Sequence, residues 1–345
     1  MAIGWGVIGA GGIARRRTIP EGIIPARGAR LAAVMDVDGQ VATEVAEEFG
    51  GAAYAEIEPL LARDDVDAVY IATPAYVHAE QALAAIRAGK HVLVEKPVAM
   101  TADEARKIAA AARRKGVTVG TGFMMRHHGA HRKIKQLLDK GTIGTPVLGR
   151  AQLSCWYPPI DGAWRQDPKL GGGGSFIDMG SHCFDLLEMF LGRTTEVHAF
   201  VASLVHAYRS EDTALVTFRF KSGAVGVVDT LFNVPDEASK NVLELYGSAG
   251  SIRCEGTIGQ APGGTVRLIA VQGGGYDAQQ QRKISRERLI RFREANTYRA
   301  EIEDFTRAIR AGRPPAVPIE DGIWNMKVVD AAYRSARTGR RVRIR

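Results

Sequence analysis

Over the first third of the chain, short apolar runs alternate with stretches whose apolar residues recur at helical spacing. Residues 3–8, 30–34, 68–72, 91–94 and 118–121 read as strands, and residues 42–49, 79–88 and 102–115 as helices. This alternation predicts an α/β domain with a parallel, doubly wound sheet, because parallel neighbours need helical crossovers. After residue 121 the pattern changes. A helix at 131–140 is followed by segments of strand character at 147–157, 197–206, 214–220, 225–232, 242–246, 251–254 and 266–271, joined by turn signals such as Lys221-Ser222-Gly223. These predict an α+β domain with an open, mainly antiparallel sheet. The expected division is 1–122 and 123–345, in keeping with a length of 345 residues, more than one core usually serves. An open sheet face needs a cover, for which a second copy of the chain is a reasonable candidate.

The first strand runs into Gly9-Ala10-Gly11-Gly12-Ile13-Ala14, a G-x-G-x-x-G/A pattern with alanine last. Gly9 permits the tight turn, Gly11 lets the backbone approach a pyrophosphate, and the following helix start offers free N–H groups to an anion. The second strand ends in Met35-Asp36, which puts a carboxylate where the adenosine ribose of a dinucleotide would be hydrogen-bonded. Asp36 therefore points to NAD, while the run Arg15-Arg16-Arg17 leaves NADP open unless it is only a solvated helix face. Thr73-Pro74 and Glu95-Lys96-Pro97 fall at two further strand ends, the edge at which such sheets bind ligands.

In the second half, the glycines Gly171 to Gly174 precede a segment expected to be helical and closed by Gly192. Asp178, His182 and Asp185 are spaced i, i+4 and i+7 and share one stripe, expected to face away from the core, with Phe184, Leu187 and Leu191 on another. Four residues apart, Asp178 and His182 can share a hydrogen bond or hold one substrate hydroxyl, and the glycines invite close approach of a ligand or of the other domain.

The net charge of +8 favours anionic partners. Nucleic acid is disfavoured, since the densest basic stretch, residues 282–299, mixes Glu287 and Glu294 into its arginines without interleaved aromatic platforms. No basic leader precedes an apolar core and no run of about 18 apolar residues occurs, so a soluble, cytoplasmic protein without membrane contact is expected. Cys155, Cys183 and Cys254 are too few and too scattered for a disulfide framework or paired metal knuckles, and Cys183 reads as a buried thiol. His127, His128 and His131 lack a carboxylate or cysteine at ligand spacing and read as a wet helix start, so no metal is expected.

These features together resemble the glucose-fructose oxidoreductase and inositol dehydrogenase family, Gfo/Idh/MocA, over nearly the whole chain. The resemblance rests on Gly9 to Ala14, Thr73-Pro74 with His78 and Glu80, Glu95-Lys96-Pro97, Trp164-Arg165, and Gly172-Gly173-Gly174 followed by Asp178 and His182. It implies a Rossmann domain, NAD or NADP as cofactor, a sugar or polyol as substrate, and a homodimer or homotetramer formed through the sheet. By resemblance, Lys96, Asp178 and His182 carry the catalytic roles. Gly9, Gly11, Gly12, Ile13, Asp36, Thr73, Pro74, His78, Glu95, Lys96, Trp164 and Arg165 serve the cofactor, and Lys96, Arg126, Tyr157, Asp178 and His182 the substrate. The chemistry agrees: an imidazole titrates near neutrality and suits a general acid or base, and a fixed ammonium stabilises a developing alkoxide. Tyr157-Pro158-Pro159 with Trp164-Arg165 also resembles a segment of 1,5-anhydrofructose reductases. Two other functions are compatible with the same residues: a glycosidase that oxidises its sugar transiently with NAD, and a non-catalytic dinucleotide sensor.

Overall fold

The structure, a computed structural model, describes residues 2–271, 278 and 286–344. Arg282 and Lys283 of the basic stretch lie outside them. The chain forms two compact units, one of Met1–His127, Gly162–Gly173 and Asn296–Lys327, the other of His128–Asp161, Gly174–Ala295 and Val328–Arg345. A single division after residue 122 is expected from the change of pattern. The chain instead returns to the first unit twice, because residues 162–173 and the helix Thr297–Ala311 pack there.

The first unit is built on β1 (Ile3–Ile8), β2 (Ala29–Met35), β3 (Ala52–Tyr54), β4 (Ala68–Ile71), β5 (His91–Glu95) and β6 (Val119–Gly122). Their order is β3-β2-β1-β4-β5-β6 and every pair is parallel. This is the doubly wound arrangement expected, and its order reverses beside β1, where such sheets bind ligands. Apolar side chains on both strand faces are covered, and Trp5, Val7, Val34, Tyr70 and Leu93 join Ile19 and Ile23 in one core. Ile302 and Phe305 complete that core, with the Trp5 and Phe305 rings 5.6 Å apart. A tilted pair of this kind contributes about 0.5–1.5 kcal/mol beyond the area it buries. The helix after the glycine loop, Ala14–Ile23, is a π-helix with Pro20 inside it.

The second unit holds β7 (Pro146–Gln152), β8 (Thr194–Ala202), β9 (Thr213–Phe220), β10 (Val225–Leu231), β11 (Val242–Gly247), β12 (Gly250–Glu255), β13 (Thr265–Ala270), β14 (Arg288–Leu289) and β15 (Val342–Arg343). They form one sheet in the order β14-β13-β12-β11-β7-β10-β9-β8-β15, antiparallel except between β7 and β10. Along β9, Ala214, Val216, Phe218 and Phe220 are buried while Leu215, Thr217 and Arg219 are exposed, so one face is covered and the other open. The helix Ser181–Leu191 lies on the covered face. It approaches closely at Gly149, where a Cβ would stand 2.7 Å from Leu191 Cδ1 and 2.9 Å from Leu187 Cδ2. The strand expected at 147–157 stops at Gln152, although the amides of Cys155 and Tyr157 still donate to the carbonyls of Leu231 and Phe232. Among the described residues, no helix is long and apolar enough to cross a membrane.

Candidate active site

In the first unit, the carboxyl ends of β1, β2, β4 and β5 are tied together through the backbone. The amides of Gly9 and Ala10 donate to Met35 O at 2.8 and 3.0 Å. Gly9 has φ +84°, and a Cβ on it would lie 2.7 Å from Thr73 Cγ2 and 2.8 Å from Thr73 N, so the turn admits only glycine. The Gly11 amide donates to Asp36 Oδ2 at 3.0 Å, and Asp38 N to Asp36 Oδ1 at 3.2 Å. Gly12, at φ +49°, faces open space in which a Cβ would meet nothing within 4 Å, and Ile13 begins the helix. A loop of bare backbone at a helix start beside a carboxylate suits a dinucleotide: amides for its pyrophosphate and Asp36 for a free ribose hydroxyl. Two of the nearby arginines are engaged by glutamates. Arg15 is held by Glu44 and Glu48 at 2.9 and 3.0 Å, and Arg17 is paired with Glu21. Arg16, between them, is exposed.

His78 is buried, with its ring nitrogens 2.8 Å from the carbonyl oxygens of Pro97 and Thr73, and burial lowers its pKa. It clasps the loop after β4 to the loop after β5, so any contribution to cofactor binding passes through Thr73, Pro74 and Lys96. Glu95 is similarly withdrawn. It accepts a short hydrogen bond from the Tyr70 hydroxyl, which in turn accepts one from Thr18, and it accepts the Lys96 amide at 3.2 Å. Burial raises the Glu95 pKa. Lys96 therefore leaves β5 beside a hydrogen-bonded glutamate, and the Lys96–Pro97 peptide is cis. Arg165, whose guanidinium lies 4.2 Å from the Trp164 ring centre, is near enough to Glu95 and His78 to act on both electrostatically. Arg126 pairs with Asp321 at 2.5 Å in a largely buried contact, so its charge is already matched within this unit.

The second unit carries Tyr157, Asp178 and His182. Tyr157 packs on Phe232 with ring centres 5.0 Å apart, and its carbonyl accepts the Tyr208 hydroxyl at 3.0 Å. The segment after the glycines begins as a π turn, Phe176–Gly180, and continues as the helix Ser181–Leu191. The stripe expected to face away from the core is only partly exposed: Asp178 is half-buried, while His182 is 8% and Asp185 2% exposed. Sequence spacing cannot show this, because a polar stripe can face solvent or a lined pocket equally well. Cys183 is buried and its thiol is pushed up by burial, which fits an inert core group. His127, His128 and His131 are buried too, rather than a wet helix start: His128 packs against His131 and Phe292, and His131 against Phe190.

Gly174 serves the protein's own backbone. A Cβ there would lie 2.0 Å from Glu211 O. The buried Glu211 carboxylate accepts Gly174 N at 2.8 Å, Phe176 N at 3.0 Å and the Tyr333 hydroxyl at 2.8 Å, while its carbonyl accepts Ser175 N at 3.0 Å. Neither Glu211 nor Tyr333 is marked by a motif. The one available signal is a pair of acids, Glu211-Asp212, opening a strand that otherwise alternates apolar and polar residues.

Residues 3–123 match the family described as an oxidoreductase family with an NAD-binding Rossmann fold, and residues 131–253 match the GFO/IDH/MocA C-terminal domain. The chain is 33% identical over 343 residues to a 1,5-anhydro-D-fructose reductase from Ensifer adhaerens, covering 99% of this chain and 98% of that one. It is 30% identical to a myo-inositol 2-dehydrogenase from Thermotoga maritima, covering 98% of each. A solved 3-ketoreductase from Actinomadura kijaniata, in complex with NADP and TDP-benzene, superposes with a TM-score of 0.84 at 27% identity, covering 97% of this chain and 98% of that one. With both family regions matched in order and full-length relatives at 30% identity or more, the chain belongs to the Gfo/Idh/MocA family of NAD(P)-dependent oxidoreductases.

Proposed function

We propose that this oxidoreductase transfers a hydride between NAD and a secondary alcohol or ketone of a sugar, inositol or related polyol, with Lys96, Asp178 and His182 as its reactive side chains. The observation that carries this reading is the presence, within this family, of Lys96 at the end of β5 together with Asp178 and His182 one helical turn apart. The named activities of the reductase and dehydrogenase relatives support the substrate class. Bound nicotinamide would accept or supply the hydride. In the oxidative direction His182 takes the hydroxyl proton, the Lys96 ammonium stabilises the alkoxide-like oxygen, and Asp178 orients the imidazole or holds a neighbouring hydroxyl. In reduction His182 returns the proton. Asp36 beside Gly11, with Arg15 and Arg17 engaged by glutamates, favours NAD over NADP.

Lys96→Ala and His182→Ala are each expected to fold and bind dinucleotide but to lose hydride transfer by about 10²- to 10⁴-fold, followed by reduced-nicotinamide absorbance with a panel of aldoses, anhydrosugars and inositols. Undiminished turnover in either variant would remove that residue from the mechanism. The same assay separates a dehydrogenase, which accumulates NADH, from a glycosidase that regenerates NAD in every cycle. We also propose a homo-oligomer formed through the open sheet face, where exposed Phe200 pairs across the strands with exposed Leu215. Light scattering on the purified protein tests this.

A further inference from the structure

We infer that Glu211 is a positioning residue for catalysis: its carboxylate fixes the start of the helical segment that carries Asp178 and His182. This rests on the catalytic roles proposed above. Three donors converge on the two carboxylate oxygens, the amides of Gly174 and Phe176 and the Tyr333 hydroxyl. Those amides belong to the first turn, where no intrahelical acceptor exists for them. A negative charge there also favours the helix dipole. The Asp178 amide then donates to Gly174 O at 3.1 Å, and the Ser181 hydroxyl to Asp178 O at 3.3 Å, so the anchored glycine starts the bonded path toward His182.

The attachment is reinforced from three sides. Ser175 Oγ donates to Thr230 O at 3.2 Å and accepts the Thr230 hydroxyl at 3.1 Å. Phe176 meets the Tyr333 ring edge-on at 5.9 Å. The neighbouring Asp212 turns the other way and accepts the amides of Leu204, Val205 and His206 at 2.8 to 2.9 Å, which fixes the Glu211 backbone as well. Nothing in this arrangement requires Glu211 to touch substrate. It acts through the placement of Asp178 and His182, and a displacement of about 1 Å at a reacting group can cost about 100-fold in rate.

The test uses the full-length protein with Glu211→Gln, Glu211→Asp and Tyr333→Phe. Three quantities are read: amide hydrogen exchange over residues 174–182, dinucleotide affinity, and kcat and KM for a sugar that the wild type turns over. In Glu211→Gln the side-chain NH2 faces a donor, so exchange should accelerate about tenfold or more and kcat should fall about 10- to 100-fold, with dinucleotide affinity unchanged. Glu211→Asp, which keeps the charge, should recover part of kcat, and Tyr333→Phe should show the same pattern more weakly. A residue that served stability alone would lower the melting temperature and leave kcat of the folded enzyme intact; that result overturns the inference, as does wild-type exchange in Glu211→Gln. If Glu211→Gln does not fold, Tyr333→Phe decides by the same two readouts, and no change in either overturns the inference. If the wild type turns over none of the sugars, the proposed function falls, while exchange still decides whether Glu211 fixes the helix.

Discussion

Each unit buries a glutamate close to its candidate site residues, and the two are surrounded in opposite ways. Glu211 in the second unit is met by three donors. Glu301 in the first unit, on the helix Thr297–Ala311, is 3% exposed, and neither carboxyl oxygen has a hydrogen-bond partner among the described residues. Its charged neighbours are Glu95 and Asp304, and burial together with their charge pushes its pKa well above the usual carboxylate range. Burial raises Glu211 too, but its donors oppose the shift. Depth alone therefore does not decide what a buried acid does. Donors turn one into an anchor, and their absence leaves the other a buried acid that costs stability.

The sharpest way to break this contrast is at the glycine that admits the anchor. Gly174→Ala would drive a Cβ into the Glu211 carbonyl, and should destabilise the second unit by about 3 kcal/mol or more in a denaturant titration, sparing dinucleotide affinity. Gly9→Ala should do the reverse and abolish dinucleotide binding, since its turn requires positive φ and has no room for a methyl group. A neutral Gly174→Ala would mean that the anchor is not closely fitted. A smaller effect of opposite sign is expected for Glu301→Met, which should stabilise by about 1–2 kcal/mol at pH 8. The sign follows from the raised folded-state pKa. Stability from Glu301 is complete below its unfolded pKa of about 4.3 and is lost as pH rises from there towards the folded value. The advantage of the variant should therefore shrink towards pH 4, and a pH-independent difference would show that Glu301 is ionised in the fold. Smallest is Asp36→Ala, expected to shift the ratio of kcat/KM for NAD over NADP by about tenfold towards NADP. A wild type that already prefers NADP would remove Asp36 as the discriminator.

The first unit was legible because its rules are local. The turn at Gly9, the carboxylate ending β2 and the alternation of strand and helix each occupy a few consecutive residues, and together they predict the sheet. The same holds for the strand periodicity of β9 and β10 in the second unit. What escaped depends on partners distant in sequence. Glu211 meets Gly174 across 37 positions and Tyr333 across 122, and no spacing rule reaches that far. The glycine run invited a reading of ligand approach, yet at Gly174 the close neighbour is the protein backbone. His78 and Glu95 carry motif signatures that imply contact with a cofactor. Both have their polar atoms turned onto the protein, a distinction set by burial rather than by residue type.

The return of Thr297–Ala311 to the first unit has a consequence for synthesis. The N-terminal sheet emerges early from the ribosome, but Trp5, Ile19 and Ile23 lack their covering side chains until Ile302 and Phe305 have been made. The second unit has by then had nearly all of its sheet translated. The unit that begins first is thus left without its cover for most of the time that the chain is being made, and it must be shielded from aggregation over that time.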